Sequence, residues 1–259
     1  MMAKQLGDHP GHLALTVPLR KDAWWIEPLF VVVVLGSFIV YSTWAAFQNA
    51  HYYANPYLSP FYSPCIAANC EHLSFQLVGA WWNWSPAFLI LWAPGVFRLT
   101  CYYYRKAYYR SFWWAPPACA VPDARTGYGG ETSFPLIFQN LHRYAFYLAV
   151  LFIFILLWDA MLALRFPDGF GVGVGTLVLW LNVGLLALYT FSCHSCRHLC
   201  GGHVDVFSKA PSRHRIWRGV SWLNERHALF AWLSLFSVGV ADLYVRLVSM
   251  GIINDLRLL

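Results

Sequence analysis

The stretch Pro28-Leu29-Phe30-Val31-Val32-Val33-Val34-Leu35-Gly36-Ser37-Phe38-Ile39-Val40-Tyr41 carries no charged residue and lies in an apolar run from about Pro28 to Gln48. A bilayer core about 30 Å thick takes about 20 apolar residues in helix, so this run reads as a membrane span. Four more runs follow, at about Gly79 to Tyr103, Phe134 to Leu164, Val172 to Cys200 and Ser221 to Ser249. The second carries Pro86 and Pro94. Proline is tolerable there because neighbouring helices and Ser or Thr hydroxyls can re-satisfy the freed backbone groups. The expected fold is all-α: a polytopic membrane protein built as a five-transmembrane-helix bundle.

Composition agrees. Of 259 residues, 59% are hydrophobic and 12% charged, about half the charge of soluble proteins, near 25%. That is too little charge to cover a water-facing surface. Secreted, disordered and nucleic-acid-binding classes are excluded. The 14 Trp and 15 Tyr suit membrane interfaces, where one end of the ring is apolar and the other wet. No cleavable signal peptide is expected, because the first residues are polar and include Lys4, Asp8, Arg20, Lys21 and Asp22.

Lys and Arg predict the orientation. Fifteen of the 18 fall in the N-terminal arm and in the regions joining the second to third and fourth to fifth spans. Arg165, Arg246 and Arg257 alone fall on the other side. The N-terminus is therefore expected in the cytoplasm and the C-terminus outside. Residues 1–259 form one transmembrane domain, with a cytoplasmic arm over 1–27, an extracytoplasmic loop over 49–78, and cytoplasmic loops over 104–133 and 201–220. The extracytoplasmic loop holds Cys65 and Cys70, which are expected to form a disulfide in that oxidising compartment.

The fourth span ends in Phe191-Ser-Cys-His-Ser-Cys-Arg-His-Leu-Cys-Gly-Gly-His203, a dense group of metal-ligand types. On one continuous helix Cys193, Cys196 and Cys200 would share a face, with His194 and His198 turned away from it. A mixed Cys/His site must then borrow from other helices. His142, His227 and Cys101 fall in the same cytoplasmic-side layer, and polar groups at membrane depth are functional candidates. Cys200 and His203 flank Gly201-Gly202, where the helix should end, and are ranked lower. Two centres suit the set. Haem b would use His142 and His227; a Rieske [2Fe–2S] centre would add the thiolates of Cys193 and Cys196. His194 and His198 with Cys101 or Cys119 are the reserve ligands.

The stretch Cys193-His-Ser-Cys-Arg197-His198-Leu199, with Asp205 beyond it, resembles the end of the signature helix in succinate dehydrogenase membrane anchors. Phe191 stands where many of those anchors place a haem-ligating His. Phe61-Tyr-Ser-Pro-Cys65, the run Arg98 to Trp113, Gln139-Asn-Leu-His-Arg-Tyr144 and Cys193-His-Ser-Cys-Arg-His198 extend the likeness to the single, five-span anchor of actinobacterial-type succinate dehydrogenases. The resemblance implies a subunit of succinate:quinone oxidoreductase in the plasma membrane. It implies a membrane-embedded Rieske-type [2Fe–2S] cluster, without haem, that relays electrons to a quinone of the menaquinone kind. It further implies flavoprotein and iron–sulfur subunits docked on the cytoplasmic face, where the basic loops and the aromatic run Tyr102 to Trp114 would meet them. A higher oligomer of the complex is compatible with this. Arg143, Arg197 and His198 are the cytoplasmic-side donors that a quinone carbonyl would need. The competing class is a non-redox transporter or assembly subunit, in which Asp159, Asp242 and Arg246 would mark a polar path.

Overall fold

The computed structural model describes residues 22–67, 78–79, 81–112, 132–134, 136–202 and 204–259. Its first helix, α1, covers Ile26–Gln48, about 34 Å at 1.5 Å per residue. It stops at Asn49, whose left-handed backbone (φ 48°) suits Asn better than most residues. Two short strands follow, β1 (Tyr53–Ala54) and β2 (Tyr57–Leu58), paired antiparallel.

The second apolar run does not form one helix. It gives α2 (Ala87–Ile90), α3 (Trp92–Thr100) and α4 (Tyr102–Phe112). Pro94 has no N–H to offer the carbonyl of Ile90, and Cys101 turns extended, with ψ 128°. Residues 87–100 reach only about 21 Å. The expected single span from Gly79 to Tyr103 is corrected accordingly.

The rest follows the apolar runs more closely. A 3-10 turn, Leu136–Leu141, leads into α5 (His142–Leu162). A hairpin of β3 (Arg165–Phe166) and β4 (Gly169–Phe170) turns the chain into α6 (Val174–Phe191). The fourth run then breaks, and α7 (His194–Gly201) is a separate helix. α8 (Pro211–Glu225) opens on a proline, as helices favour, and α9 (His227–Ser249) closes the bundle. Four helical segments among the described residues are long and apolar enough to cross a membrane: α1, Leu136–Leu162, α6 and α9. Helices α4 and α8 occupy parts of what the sequence marks as the 104–133 and 201–220 loops.

Three buried clusters show how the elements run. Val31 and Leu35 of α1, Phe97 and Cys101, Ala145 and Phe146 of α5, Tyr189, Cys193 and Phe230 of α9 pack together at one end. Ala45 and Ala46 of α1 pack with Tyr62, Cys65 and Ala87 at the other. Leu156 and Ala160 of α5, Leu179 and Val183 of α6, and Ala241 and Val245 of α9 form the third, beside Tyr57. The first end gathers the starts of α1, α5 and α9 with the finishes of α3 and α6.

The opposite end is sealed by the segment after α1. Arg246 and Asp242 are 2% and 0% exposed and form an ion pair at 2.7 Å. Arg246 also donates to the carbonyls of Ala45 and Ala50. Asp242 accepts from Tyr41 and Ser59, and Asp159 from Ser63. A buried charge persists when every donor and acceptor is met, and these bonds tie α1, its following loop, α5 and α9 together. Replacing Asp242 by Asn leaves Arg246 buried without its counter-charge. That substitution should cost about 3–5 kcal/mol, read as a lower midpoint in thermal unfolding of the detergent-solubilised protein. A Asp242→Leu, Arg246→Met double variant should recover much of the loss.

Candidate metal centre

The chemistry gathers where two helices stop. α6 ends because Ser192 turns its hydroxyl back onto the Tyr189 carbonyl at 2.9 Å, an alternative to continuing the helix. Cys193 is then extended (φ −63°, ψ 145°) and caps α7, its sulfur accepting from the Ser195 N–H. α3 ends in the same manner at Cys101. Both cysteines are buried, at 2% and 1% exposure, and both line one cavity of about 290 Å³ with His194 and His227.

Two histidines complete the arrangement, each the first residue of its helix. His142 Nε2 lies 2.9 Å from Cys193 Sγ; His227 Nε2 lies 3.3 Å from Cys101 Sγ. Their other nitrogens meet hydroxyls: His142 Nδ1 and Thr100 Oγ1 at 2.9 Å, His227 Nδ1 and Ser192 Oγ at 2.7 Å. The pattern is crossed. The hydroxyl residue before each cysteine holds the imidazole that faces the other cysteine.

Those hydroxyls decide the tautomers. Thr100 donates its one proton to the Val96 carbonyl, and Ser192 donates to the Tyr189 carbonyl. Each can therefore only accept from its imidazole, so Nδ1 carries the ring proton. Nε2 is left bare and faces sulfur, which is the ligand-ready form. Phe97 stacks on His142 at 5.0 Å and Tyr189 on His227 at 5.1 Å, fixing both rings.

His194 joins them. Its ring stacks on His142 at 5.7 Å, and the ligating atoms of His142, Cys193 and His194 lie within 4.8 Å of one another. Burial pushes the Cys193 thiol up to about 11. Burial likewise holds His194 below its ordinary value, with His198 and Arg143 acting in the same direction. A metal entering there would displace thiol protons.

The sequence-derived residues divide. His142, His227 and Cys193 meet in the site. Cys196 is buried one turn along α7 and does not line the cavity; Cys101 stands opposite Cys193 instead. The break at Cys193 is the reason, since the shared face of Cys193, Cys196 and Cys200 presumed one unbroken helix. His198 and Arg143 are bonded at 2.7 Å in an exposed position. Arg197 turns away, donating to Ser221 and lying over Trp217. Cys65 is disulfide-bonded; Cys70 and Cys119 lie outside the described residues. Sequence reasoning passed over Thr100 and Ser192. The available signal is a hydroxyl residue directly before cysteine, in Thr100-Cys101 and Ser192-Cys193, but Ser195-Cys196 repeats it.

Residues 26–251 match the family model described as actinobacterial succinate dehydrogenase subunit SdhC. The chain belongs to that family. A chain of the Mycobacterium smegmatis Sdh1 complex in the apo form is similar at 49% identity and a TM-score of 0.87, covering 93% of this chain and 94% of that one. No curated protein sequence matches. The chain is thus an SdhC-type succinate dehydrogenase membrane anchor, a multi-pass plasma-membrane subunit, and catalysis lies on other subunits.

Removing a hydroxyl that orients a ligating imidazole typically costs 10–100-fold in metal affinity. Thr100→Val and Ser192→Ala should each lower retained metal after dialysis against a chelator, measured by elemental analysis of the purified protein. Ser195→Ala, beside Cys196, should not.

Proposed function

We propose that this subunit is the quinone-reducing anchor of the complex and that Cys101, Cys193, His142 and His227 hold a Rieske-type [2Fe–2S] centre. The observation that carries this is the pair of crossed Cys–His contacts, two thiols and two bare Nε2 atoms converging from different helices. When bound, such a centre supplies one-electron transfer at a potential raised by its imidazoles. The overall reaction balances as succinate and quinone giving fumarate and quinol, two electrons and two protons passing between them.

The chain's own residues prepare the site. Thr100 and Ser192 hold the imidazole protons on Nδ1. Phe97 and Tyr189 exclude water from the outer faces of the rings. His194, stacked on His142, is the adjacent third imidazole. A haem b reading needs the two imidazoles to face one another across a porphyrin, whereas each faces a thiol. The transporter reading leans on Asp159, Asp242 and Arg246, whose bonds to Ser63, Tyr41, Ser59 and the loop backbone account for them.

The reading includes five crossings, with α2 and α3 as a shortened second one covered by its neighbours. The Lys and Arg bias supports a cytoplasmic His/Cys end, where the flavoprotein and iron–sulfur subunits would dock. A disulfide between Cys65 and Cys70 belongs to the opposite, oxidising side.

Two tests follow. The purified complex should contain iron and acid-labile sulfide in this subunit without haem absorbance. His142→Ala with His227→Ala should abolish quinone reduction while succinate oxidation by a soluble acceptor persists. Cys101→Ser should remove the Rieske-type resonance and Cys196→Ser should keep it; the reverse outcome would return Cys196 to the ligand set. For topology, a reporter fused after Leu259 should read as extracytoplasmic, and a cytoplasmic signal would sink the five-crossing arrangement.

A further inference from the structure

A separate cavity, of about 420 Å³, opens at the His/Cys end of the bundle, between the start of α1, α4 and α9. Lys106 and Arg110 of α4 line it one helical turn apart, together with Ser111, Tyr103, Trp232 and, from α1, Glu27. Lys106 is exposed and Arg110 half-buried, and neither makes a hydrogen bond or an ion pair among the described residues. Arg197, Arg213 and Arg226 at the same end each donate to a protein acceptor instead. The Tyr103 hydroxyl accepts from the Trp232 indole at 2.7 Å and so keeps its own proton to donate. Two cations and the hydroxyls of Tyr103 and Ser111 thus face one space that holds a single carboxylate.

The rest of the wall is apolar and continues along the outside of the bundle. Phe30 of α1 is 56% exposed, and its ring lies 6.4 Å from Trp232. Trp232 lies 6.4 Å from Phe236, which is 49% exposed one turn further along α9. α1 and α9 both begin at this end, and both are long and apolar enough to cross a membrane. The row of rings therefore runs from the charged mouth toward the middle of the bilayer. Trp232 stands at the boundary, where an indole meets both an apolar and a polar neighbour.

We infer that this cavity binds an anionic glycerophospholipid, its phosphodiester held by Lys106 and Arg110 and one acyl chain lying along Phe30, Trp232 and Phe236. The Arg110 fork matches two phosphate oxygens, and Lys106 supplies a point charge beside it. Two cations less the Glu27 carboxylate leave one positive charge, which a single phosphodiester neutralises. A zwitterionic headgroup brings its own ammonium and leaves that charge uncompensated. A free phosphate, or a carboxylate on a docked protein chain, would fill the mouth and leave the row of rings without a use. None of this depends on a metal at the His/Cys group.

The test uses the intact complex, purified in non-ionic detergent and stripped of lipid, with bound molecules counted by native mass spectrometry. It is titrated with dioleoylphosphatidylglycerol, with zwitterionic dioleoylphosphatidylethanolamine, and with glycerol phosphate as a tail-free anion. The unmodified complex should hold phosphatidylglycerol at one tight site per anchor and bind the other two at least about tenfold more weakly. Lys106→Gln and Arg110→Gln should each weaken that site about tenfold, whereas Lys209→Gln, a cation outside the cavity, should leave it unchanged. Equal binding of phosphatidylethanolamine would overturn the anionic assignment, and equal binding of glycerol phosphate would overturn the lipid one. An equal loss in Lys209→Gln would mean diffuse surface charge and sink the site. If the α4 variants do not assemble, the three titrations of the unmodified complex still decide the matter, and absence of a tight phosphatidylglycerol site overturns the inference. A complex without iron or sulfide in this subunit would overturn the proposed centre and leave this reading intact.

Discussion

The backbone leaves helical geometry at Cys101 and again at Cys193, and within a membrane protein that is possible only where other protein covers the freed groups. Both breaks are covered. The Cys101 N–H reaches the Arg98 carbonyl, and Arg105 returns to the Cys101 carbonyl. The Ser192 carbonyl is met by the Asn224 side chain from α8 at 2.7 Å. α4 packs on α1 and α7 on α8, so the two short helices that follow the breaks close over the site. Without the breaks the cysteines would project from helix faces like any other side chain. With them, each sulfur turns inward toward an imidazole that opens another helix.

From that constraint the polarity of the site follows. A histidine at the start of a helix is free to be placed by whatever holds its second nitrogen. Here a single hydroxyl proton, already committed to a backbone carbonyl, forces the imidazole to donate through Nδ1 and to show its lone pair to sulfur. The same two hydroxyl residues sit beside the two thiols in sequence. Moving either break would therefore displace a candidate ligand and the residue that orients the opposite imidazole together.

The far end of the bundle solves a different problem. It carries a full ion pair at almost no exposure, and satisfies it with backbone carbonyls of α1 and hydroxyls of the segment after it. The C-terminal residues add to this closure: Leu258 and Val174 exchange backbone bonds with Val172 and Leu256, and Asp255 accepts from Tyr57, Tyr244 and the Gly175 N–H. These polar groups bind elements together. The polar groups at the other end are arranged around space, which is the practical difference between a lock and a site.

Much was legible in the sequence. The run around Phe30 to Leu35 announces a membrane helix because twenty uncharged residues have no other stable use, and the apolar parts of α5, α6 and α9 follow for the same reason. Depth along each span put His142, His227, Cys101, Cys193 and Cys196 in one candidate layer. What periodicity could not show was where a helix would stop. Ser192 competing for the Tyr189 carbonyl, and Pro94 denying Ile90 its partner, are local events whose outcome depends on the neighbours that cover them. A continuous helix would have paired Cys193 with Cys196. The tertiary structure turned Cys193 toward His142 and brought Cys101 across to His227, because two broken helix ends and two helix starts meet at one point in space.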